Sequence, residues 1–162
     1  MAYGQTTTVE LTSIRQTGLE MGRVAISYHR DVASWATWSL ADFCAMIRDH
    51  EYKADPPDRE WLSRPIFTLN GWVEYFDCDD RAICVGAWAE CRGWPFRFVA
   101  AGRPWSDEVH HVYAEVLPPY PGMGWVYADC TYKHHRVGSP EFWEIRQQIF
   151  DSRTDRSPQW SV

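Results

Sequence analysis

The most informative stretch of the chain reads Asp77-Cys78-Asp79-Asp80 and leads into an apolar run that ends at Cys91. Asp77 has the acceptor side chain typical of a helix N-cap, and Asp80 stands where a capping box places a carboxylate. Apolar residues then recur at helical spacing, and a glycine and a proline follow as stop signals. The pattern predicts a buried helix over residues 77–91 with Cys78 in its first turn.

The predicted helix places the Cys78 thiol at its positive end. Backbone N–H groups and the helix macrodipole favour a thiolate there, and the thiolate is the nucleophilic form of cysteine. The chain has five cysteines, an odd number, and at least three fall in this helix, which favours a reducing compartment over a disulfide framework. Their spacings of six and seven residues lack the close cysteine pair of structural zinc sites, so we expect neither a metal nor a cofactor.

Length, composition and charge limit the classes of function. A chain of 162 residues is expected to form one globular domain. The net charge is −6 and no basic patch stands out, which argues against a nucleic-acid partner. The N-terminus lacks the pattern of a signal peptide, and no apolar run approaches the roughly 20 residues of a membrane span. We therefore expect a cytoplasmic protein without a membrane partner.

The first part of the chain has helical patterns. Residues 8–28 are predicted to form one helix, and Ser39 is the predicted N-cap of a second, with Asp42 at the capping-box position. A polar loop over 53–58 and an irregular helical piece over 59–69 are expected to follow. We expect the N-terminal helices to pack beside the cysteine-bearing helix.

After Gly93 the hydrophobic period changes from helical to two. Strands are predicted over 96–100, 109–116 and 125–129, and a final helix is predicted to begin at Ser139 and to end in a flexible tail. Helices followed by an antiparallel sheet give an α+β fold. We divide the one domain into a helical extension (1–38), a core (39–138) and a C-terminal helix with its tail (139–162).

The two last predicted strands bring a histidine and an aspartate together. Pairing them as a hairpin with His111 opposite Asp129 also sets Tyr113 opposite Tyr127. A register shifted by one residue pairs His110 with Asp129 instead, and spacing alone does not choose between the two histidines. In either register, a cysteine, a histidine and an aspartate occur in an order that a thiol acyl-transfer triad can use.

Four segments of the chain carry motifs at ordinary spacings: Asp77-Cys78-Asp79-Asp80-Arg81-Ala82-Ile83, Gly93-Trp94-Pro95-Phe96-Arg97-Phe98-Val99-Ala100, His111-Val112-Tyr113-Ala114-Glu115-Val116 and Gly124-Trp125-Val126-Tyr127-Ala128-Asp129-Cys130-Thr131. Together they resemble the transglutaminase-like superfamily, in its small bacterial and phage-encoded branch. The resemblance covers roughly residues 40–138. It implies a papain-like core, in which a helix carrying the cysteine packs on an antiparallel sheet carrying the histidine and the aspartate.

The resemblance also assigns the catalytic residues. It implies that Cys78 is the nucleophile, that His111 rather than His110 moves the proton, and that Asp129 orients the imidazole. The implied activity is acyl transfer on amide bonds, of the transglutaminase, amidase or peptidase type. A protein or peptide substrate would form a thioester with the cysteine, which water or an amine then resolves.

Further residues are expected around this site. The backbone N–H of Cys78 is the first candidate oxyanion donor, and Trp72 or Tyr75 is the candidate for the second. Phe76 replaces the glycine usual in the family, and its ring is expected either to narrow the acyl site or to pack beneath the helix start. Two tyrosines of the hairpin complete the expected lining: Tyr113 and Tyr127.

Other interpretations stand beside the enzymatic one. The resemblance also allows a structural or assembly component of a phage particle that keeps the fold, with phage structural proteins as partners and the virion as its location. His134 and His135 are interpreted as a solvated loop pair, and Asp79 and Asp80 as charges at the helix start.

Overall fold

The structure, a computed structural model, describes residues 7–8, 13–106 and 108–160. The helices and strands of these residues are, in order: β1 (Thr7–Thr8), α1 (Ile14–Ser27), a 3₁₀ helix (His29–Trp35), α2 (Leu40–Asp49), β2 (Trp61–Leu62), α3 (Pro65–Leu69), α4 (Cys78–Cys91), β3 (Phe96–Gly102), β4 (His111–Val116), β5 (Val126–Ala128), β6 (Ile145–Asp151) and a second 3₁₀ helix (Pro158–Trp160). None of the described helices has the length and apolar character needed to cross a membrane.

The fold is α+β, as the order of the patterns predicts. A four-stranded antiparallel sheet runs in the order β5-β4-β3-β6, and β1 pairs with β2 in a small ladder of its own. The three predicted strands are confirmed, with ends moved by no more than two residues. One face of the sheet packs on the helices in the main core, and a smaller cluster lies on alternating strand positions, with Val99, Ala101, Tyr113 and Tyr127 among its members.

Helix α4 lies at the centre of the protein. Every residue from Asp79 to Ala89 is buried, because α1, the first 3₁₀ helix and the sheet surround the helix. Over these residues the helix is therefore buried on all sides, and not only along the single stripe that the sequence predicts. Gly86 lets the helix approach the sheet, since a Cβ there would stand 2.8 Å from ring atoms of Phe96 and of Phe98.

The start of α4 is held differently from the predicted capping box. Asp77 is the N-cap by position, but its side chain caps no helical N–H; its Oδ2 accepts from the backbone N–H of Asp55 at 3.2 Å. Asp80 does not reach back to it, and its Oδ1 accepts from the N–H of Ser63 at 2.8 Å. Asp79 and Asp80, which the sequence marks as helix-start charges, are thus buried, and Asp80 together with Asp77 anchors the preceding loop.

The first helix is shorter than predicted. It begins at Ile14, after Ser13, whose side chain accepts from the N–H of Gln16 at 3.2 Å. Thr8 belongs to β1, and residues 9–12 of the predicted helix lie outside the described part. The second helix is confirmed with its cap, because the Ser39 hydroxyl accepts from Asp42 N–H at 3.0 Å. The 59–69 piece separates into β2 and α3.

The predicted C-terminal helix is wrong, since residues 145–151 form strand β6 at the edge of the sheet. A register shift opposite Phe98 and Val99 lets Ile149 and Phe150 both be buried. The bulge breaks the alternation that identifies a strand in sequence. The following tail also packs, with Asp155 paired to Arg15 at 2.7 Å; residues 161–162 lie outside the described part.

Candidate active site

Cys78 lies at the first position of α4, beside the start of β4. Because β5 ends opposite Ala114, the first residues of β4 extend beyond it. There the backbone N–H of Val112 faces the Cys78 sulfur. Burial raises the pKa of the Cys78 thiol, and the Asp77 carboxylate raises it further, while the Val112 N–H acts in the opposite direction. Burial and the Asp77 charge therefore outweigh the helix macrodipole, which is expected to favour the thiolate, and the neutral thiol is favoured.

His111 and Asp129 form a buried pair. Nε2 of His111 lies 2.6 Å from Oδ2 of Asp129, and the two side chains are 3% and 1% exposed. The predicted register is wrong by two residues, because Ala128 faces Ala114 and not Val112. A shift of two leaves every side chain on the same face of the sheet, so His111 and Asp129 still meet as diagonal neighbours. The one-residue alternative is also wrong, and His110 is exposed.

Asp129 is the centre of a hydrogen-bonded cluster. The Tyr127 hydroxyl donates to Oδ2 at 2.9 Å, and the Thr131 N–H donates to Oδ1 at 3.0 Å. Nδ1 of His135 also lies 3.0 Å from Oδ1. Burial by itself would raise the pKa of Asp129, but the hydrogen bonds with His111 and His135 outweigh it and hold the pKa well below its usual range. Asp129 is therefore ionised at neutral pH.

His135 is a site residue that the sequence reasoning missed. His134 is exposed, as expected of a solvated pair, but the His135 side chain is fully buried between Asp129 and Glu141, with 3.2 Å between its Nε2 and Oε1 of Glu141. Glu141 is in turn paired with Arg103. Nothing in the local pattern separates the two neighbouring histidines, since the difference arises from contacts distant in sequence.

Trp143 completes the surroundings of His111. Its ring stacks on the imidazole with 5.1 Å between centroids and 21° between planes, and the Arg103 guanidinium lies 4.2 Å from the Trp143 ring centre. Two tyrosines predicted to line the site are also brought here: Tyr113 stacks with His111 at 6.2 Å and packs against Tyr127 at 4.7 Å. These rings hold the imidazole in place.

The predicted residues before Cys78 take different roles. Phe76 is buried, its ring lies 4.5 Å from the Arg81 guanidinium, and its N–H is bound to the Lys53 carbonyl, so it packs beneath the helix start. Trp72 is half exposed, and its backbone N–H donates to the Phe67 carbonyl. Tyr75 packs edge-on against Trp61. Among the contacts of the described residues, none joins Trp72 or Tyr75 to Cys78.

The Arg81 side chain links backbone segments on either side of α4 near the site. Its buried guanidinium donates to the carbonyls of Ile47 at 3.0 Å, His50 at 2.9 Å and Cys130 at 3.1 Å. These bonds join the end of α2 and the residue after Asp129 to the helix that begins at Cys78. Arg81 is part of a quoted motif, but no sequence pattern reveals that it binds carbonyls.

The structure brings His111 and Asp129 into contact, and the Asp129 charge is one of the smaller effects that raise the pKa of the Cys78 thiol. Within the described residues, no hydrogen bond joins the Cys78 sulfur to the His111 ring, whose Nδ1 takes no part in the bond to Asp129. Within the described part of the chain, two groups have side chains close enough together to hold a metal ion: His134, His135 and Glu141, and Asp55, Asp77 and Asp79. Comparison of the chain with known protein families, with curated proteins and with solved structures found no match.

Proposed function

We propose that the protein is a cysteine-dependent acyltransferase or hydrolase that acts on amide bonds of a protein or peptide. One observation carries the proposal. His111, the histidine of the buried His111–Asp129 pair, is the first residue of β4, and the backbone N–H of the next residue of that strand, Val112, faces the Cys78 sulfur. A nucleophile, a proton acceptor and a group that orients the acceptor are the three parts that such chemistry needs.

The proposed first step is attack on the amide. Because Nε2 of His111 faces Asp129, Nδ1 is the atom that takes the Cys78 proton. The sulfur then bonds to the carbonyl carbon, and the N–H of Cys78 at the helix start stabilises the oxyanion. His111 returns the proton to the leaving nitrogen, the C–N bond breaks, and ammonia or an amine departs from a thioester.

The second step regenerates the thiol. Water or an acceptor amine attacks the thioester while His111 removes its proton, and the C–S bond breaks to give an acid or a new amide. The raised pKa of Cys78 means that the thiol is neutral at rest, so His111 acts as a general base during attack. Ionised Asp129 stabilises the imidazolium formed in each step.

A papain-like core is the finer description of the fold that we propose. Helix α4 carries Cys78 at its first position and packs on β4, which carries His111. Asp129 directly follows β5, the neighbour of β4. This order and packing support the arrangement that the four motifs imply.

The test is capture of the thioester. The full chain is incubated with a glutaminyl peptide library and with hydroxylamine as acceptor, and ammonia release and intact mass are measured. We expect acyl-protein adducts on Cys78, which Cys78→Ala abolishes and Cys91→Ala leaves unchanged. If Cys78 carries no adduct and Cys78→Ala changes nothing, the proposal is refuted and the structural role left open by the sequence is favoured.

A further inference from the structure

Two neighbouring histidines and a glutamate converge beside the Asp129 cluster. One ligand atom from each of His134, His135 and Glu141 lies within 4.8 Å of the others. Both histidines turn Nε2 towards the same oxygen, Oε1 of Glu141: His134 is paired with it, and Nε2 of His135 lies 3.2 Å from it. Two imidazole nitrogens and a carboxylate oxygen therefore surround one point in space, as ligands surround a shared ion.

Nε2 of His135 is a buried polar atom without a hydrogen bond. The His135 side chain is 0% exposed, and among the described residues its Nε2 has no partner with hydrogen-bond geometry, although Oε1 of Glu141 is near. Buried side-chain atoms of this kind are rare, and a bound ion is one explanation for them. His135 is therefore directed at the group without being satisfied by it.

The opposite edge of the His135 ring is already held. Nδ1 lies 3.0 Å from the carboxylate oxygen Oδ1 of Asp129 and 3.3 Å from the backbone nitrogen of Tyr132. The shorter contact, with the carboxylate, places the ring proton on Nδ1 and leaves the lone pair on Nε2. A carboxylate behind a histidine is the usual partner of a metal-binding imidazole, because it fixes both the tautomer and the orientation of the ring.

We propose that His134, His135 and Glu141 bind Zn²⁺. Zinc takes imidazole nitrogen and carboxylate oxygen at about 2.0–2.2 Å, so two ligands of a tetrahedral site stand about 3.3–3.6 Å apart. The 3.2 Å between Nε2 of His135 and Oε1 of Glu141 is close to that spacing. The His134 side chain is 67% exposed, so it can turn to complete the third position, and water takes the fourth.

The bound ion connects the turn after Asp129 to the segment before β6. Oε2 of Glu141 is paired with Arg103, so the carboxylate keeps Oε1 for the ion. Two residues after Glu141, Trp143 stacks on the His111 ring. Binding therefore stabilises the loop that holds Asp129 and Trp143 beside His111. The expectation of no metal concerns the cysteine spacings, and none of these ligands is a cysteine.

Binding is measured on the full chain after treatment with a chelator, both for the natural chain and for Cys78→Ala. Calorimetry and thermal unfolding are followed as Zn²⁺ is added, and the absorption of added Co²⁺ reports the type of ligand. We expect one ion per chain with a Kd of about 1 µM or below, and a Tm higher by about 5–10 °C at 100-fold that concentration. Because Cys78→Ala is expected to respond equally, this result is independent of the proposed catalysis.

Matched variants locate the site. We expect His134→Ala and Glu141→Gln to raise the Kd by about tenfold or more, since each removes a ligand, and His110→Ala to leave it unchanged, because His110 is exposed and lies outside the group. If Glu141→Gln, which also loses the pair with Arg103, does not fold, His134→Ala decides, because its side chain is exposed.

Three outcomes overturn the proposal. The first is the absence of binding in calorimetry up to about 100 µM Zn²⁺, a concentration far above the expected Kd. The second is equal binding by His134→Ala and His110→Ala. The third is a Co²⁺ spectrum with thiolate charge transfer that Cys78→Ala abolishes, because the ion then lies on the cysteine.

Discussion

Asp129→Asn is the substitution that tests the hydrogen-bonded cluster most severely. The asparagine side chain has the same shape but no charge, and its amide nitrogen cannot accept a bond. The ionised carboxylate accepts from His111 at 2.6 Å, Tyr127 at 2.9 Å and the Thr131 N–H at 3.0 Å. Loss of the charge therefore weakens these three buried bonds at once, together with the contact between Oδ1 and Nδ1 of His135 at 3.0 Å.

The size of the effect follows from those three bonds. A hydrogen bond to a charged group contributes about 1.5–3 kcal/mol and a neutral one about 1 kcal/mol, so each bond loses roughly 1 kcal/mol. We expect the free energy of unfolding to fall by about 3 kcal/mol at pH 7, and the Tm by about 6–12 °C.

The effect has a defined pH dependence. The folded pKa of Asp129 lies well below that of the unfolded chain, so its stabilisation is complete above about pH 4 and declines as the pH falls. Urea unfolding at pH 7 and pH 3 measures the difference between the natural chain and Asp129→Asn. That difference should narrow by about 1.4 kcal/mol for each pH unit below about 4.

Asp151→Asn is the matched control. Asp151 is also buried, and although burial would raise its pKa, its bonds from Arg153 hold the pKa below the usual value. Asp151 lies on β6, away from Cys78. The Asp151→Asn variant should therefore be less stable but should not alkylate more slowly at Cys78, whereas Asp129→Asn should slow that alkylation. A loss below 1 kcal/mol in Asp129→Asn at every pH, or a loss that does not change between pH 7 and pH 3, would refute the role of the carboxylate, since about 3 kcal/mol is expected.

Three further results are expected. Arg81→Met leaves three buried carbonyls without a donor and should lower the free energy of unfolding by about 3–5 kcal/mol in urea titrations; a loss below about 1 kcal/mol contradicts this. Gly22→Ala places a methyl group in the ring of Phe150 and should cost about 1–3 kcal/mol, whereas an unchanged Tm would show that β6 does not pack so closely. Burial raises the folded pKa of Asp55 to about 7, so its contribution to stability is present at low pH and lost as the pH rises towards 7; the Tm should therefore fall between about pH 4 and 7, and Asp55→Asn should flatten that fall. An equal slope in both proteins excludes Asp55 as its cause.

The sequence predicts those parts of the fold that depend on local periodicity. Helix α4, helix α2 with its Ser39 cap and three strands of the sheet are all predicted close to their observed bounds. The contact of His111 with Asp129 is also predicted, although the register is wrong by two residues. The contact is retained because a register shift of two residues leaves each side chain on the same face of the sheet.

What the sequence does not predict depends on distant contacts. The pattern favours a helix where strand β6 lies, because the bulge of this strand buries two adjacent residues and removes the alternation. His135 differs from its exposed neighbour only through Asp129 and Glu141, which meet it in three dimensions. The direction of the Cys78 pKa also requires the structure, because burial outweighs the local effect of the helix terminus.

The reactivity of Cys78 with iodoacetamide, compared in the natural chain and in His111→Ala at pH 7, tests the central claim most directly. Cys91 is an internal control, because it ends the same helix, is partly exposed, and has a pKa that burial also raises. Peptide mapping should show a decrease of about tenfold or more in His111→Ala for Cys78 alone, with the rate of Cys91 unchanged, as expected for loss of a general base. Equal rates for Cys78 in the two proteins would contradict the pairing of this thiol with His111.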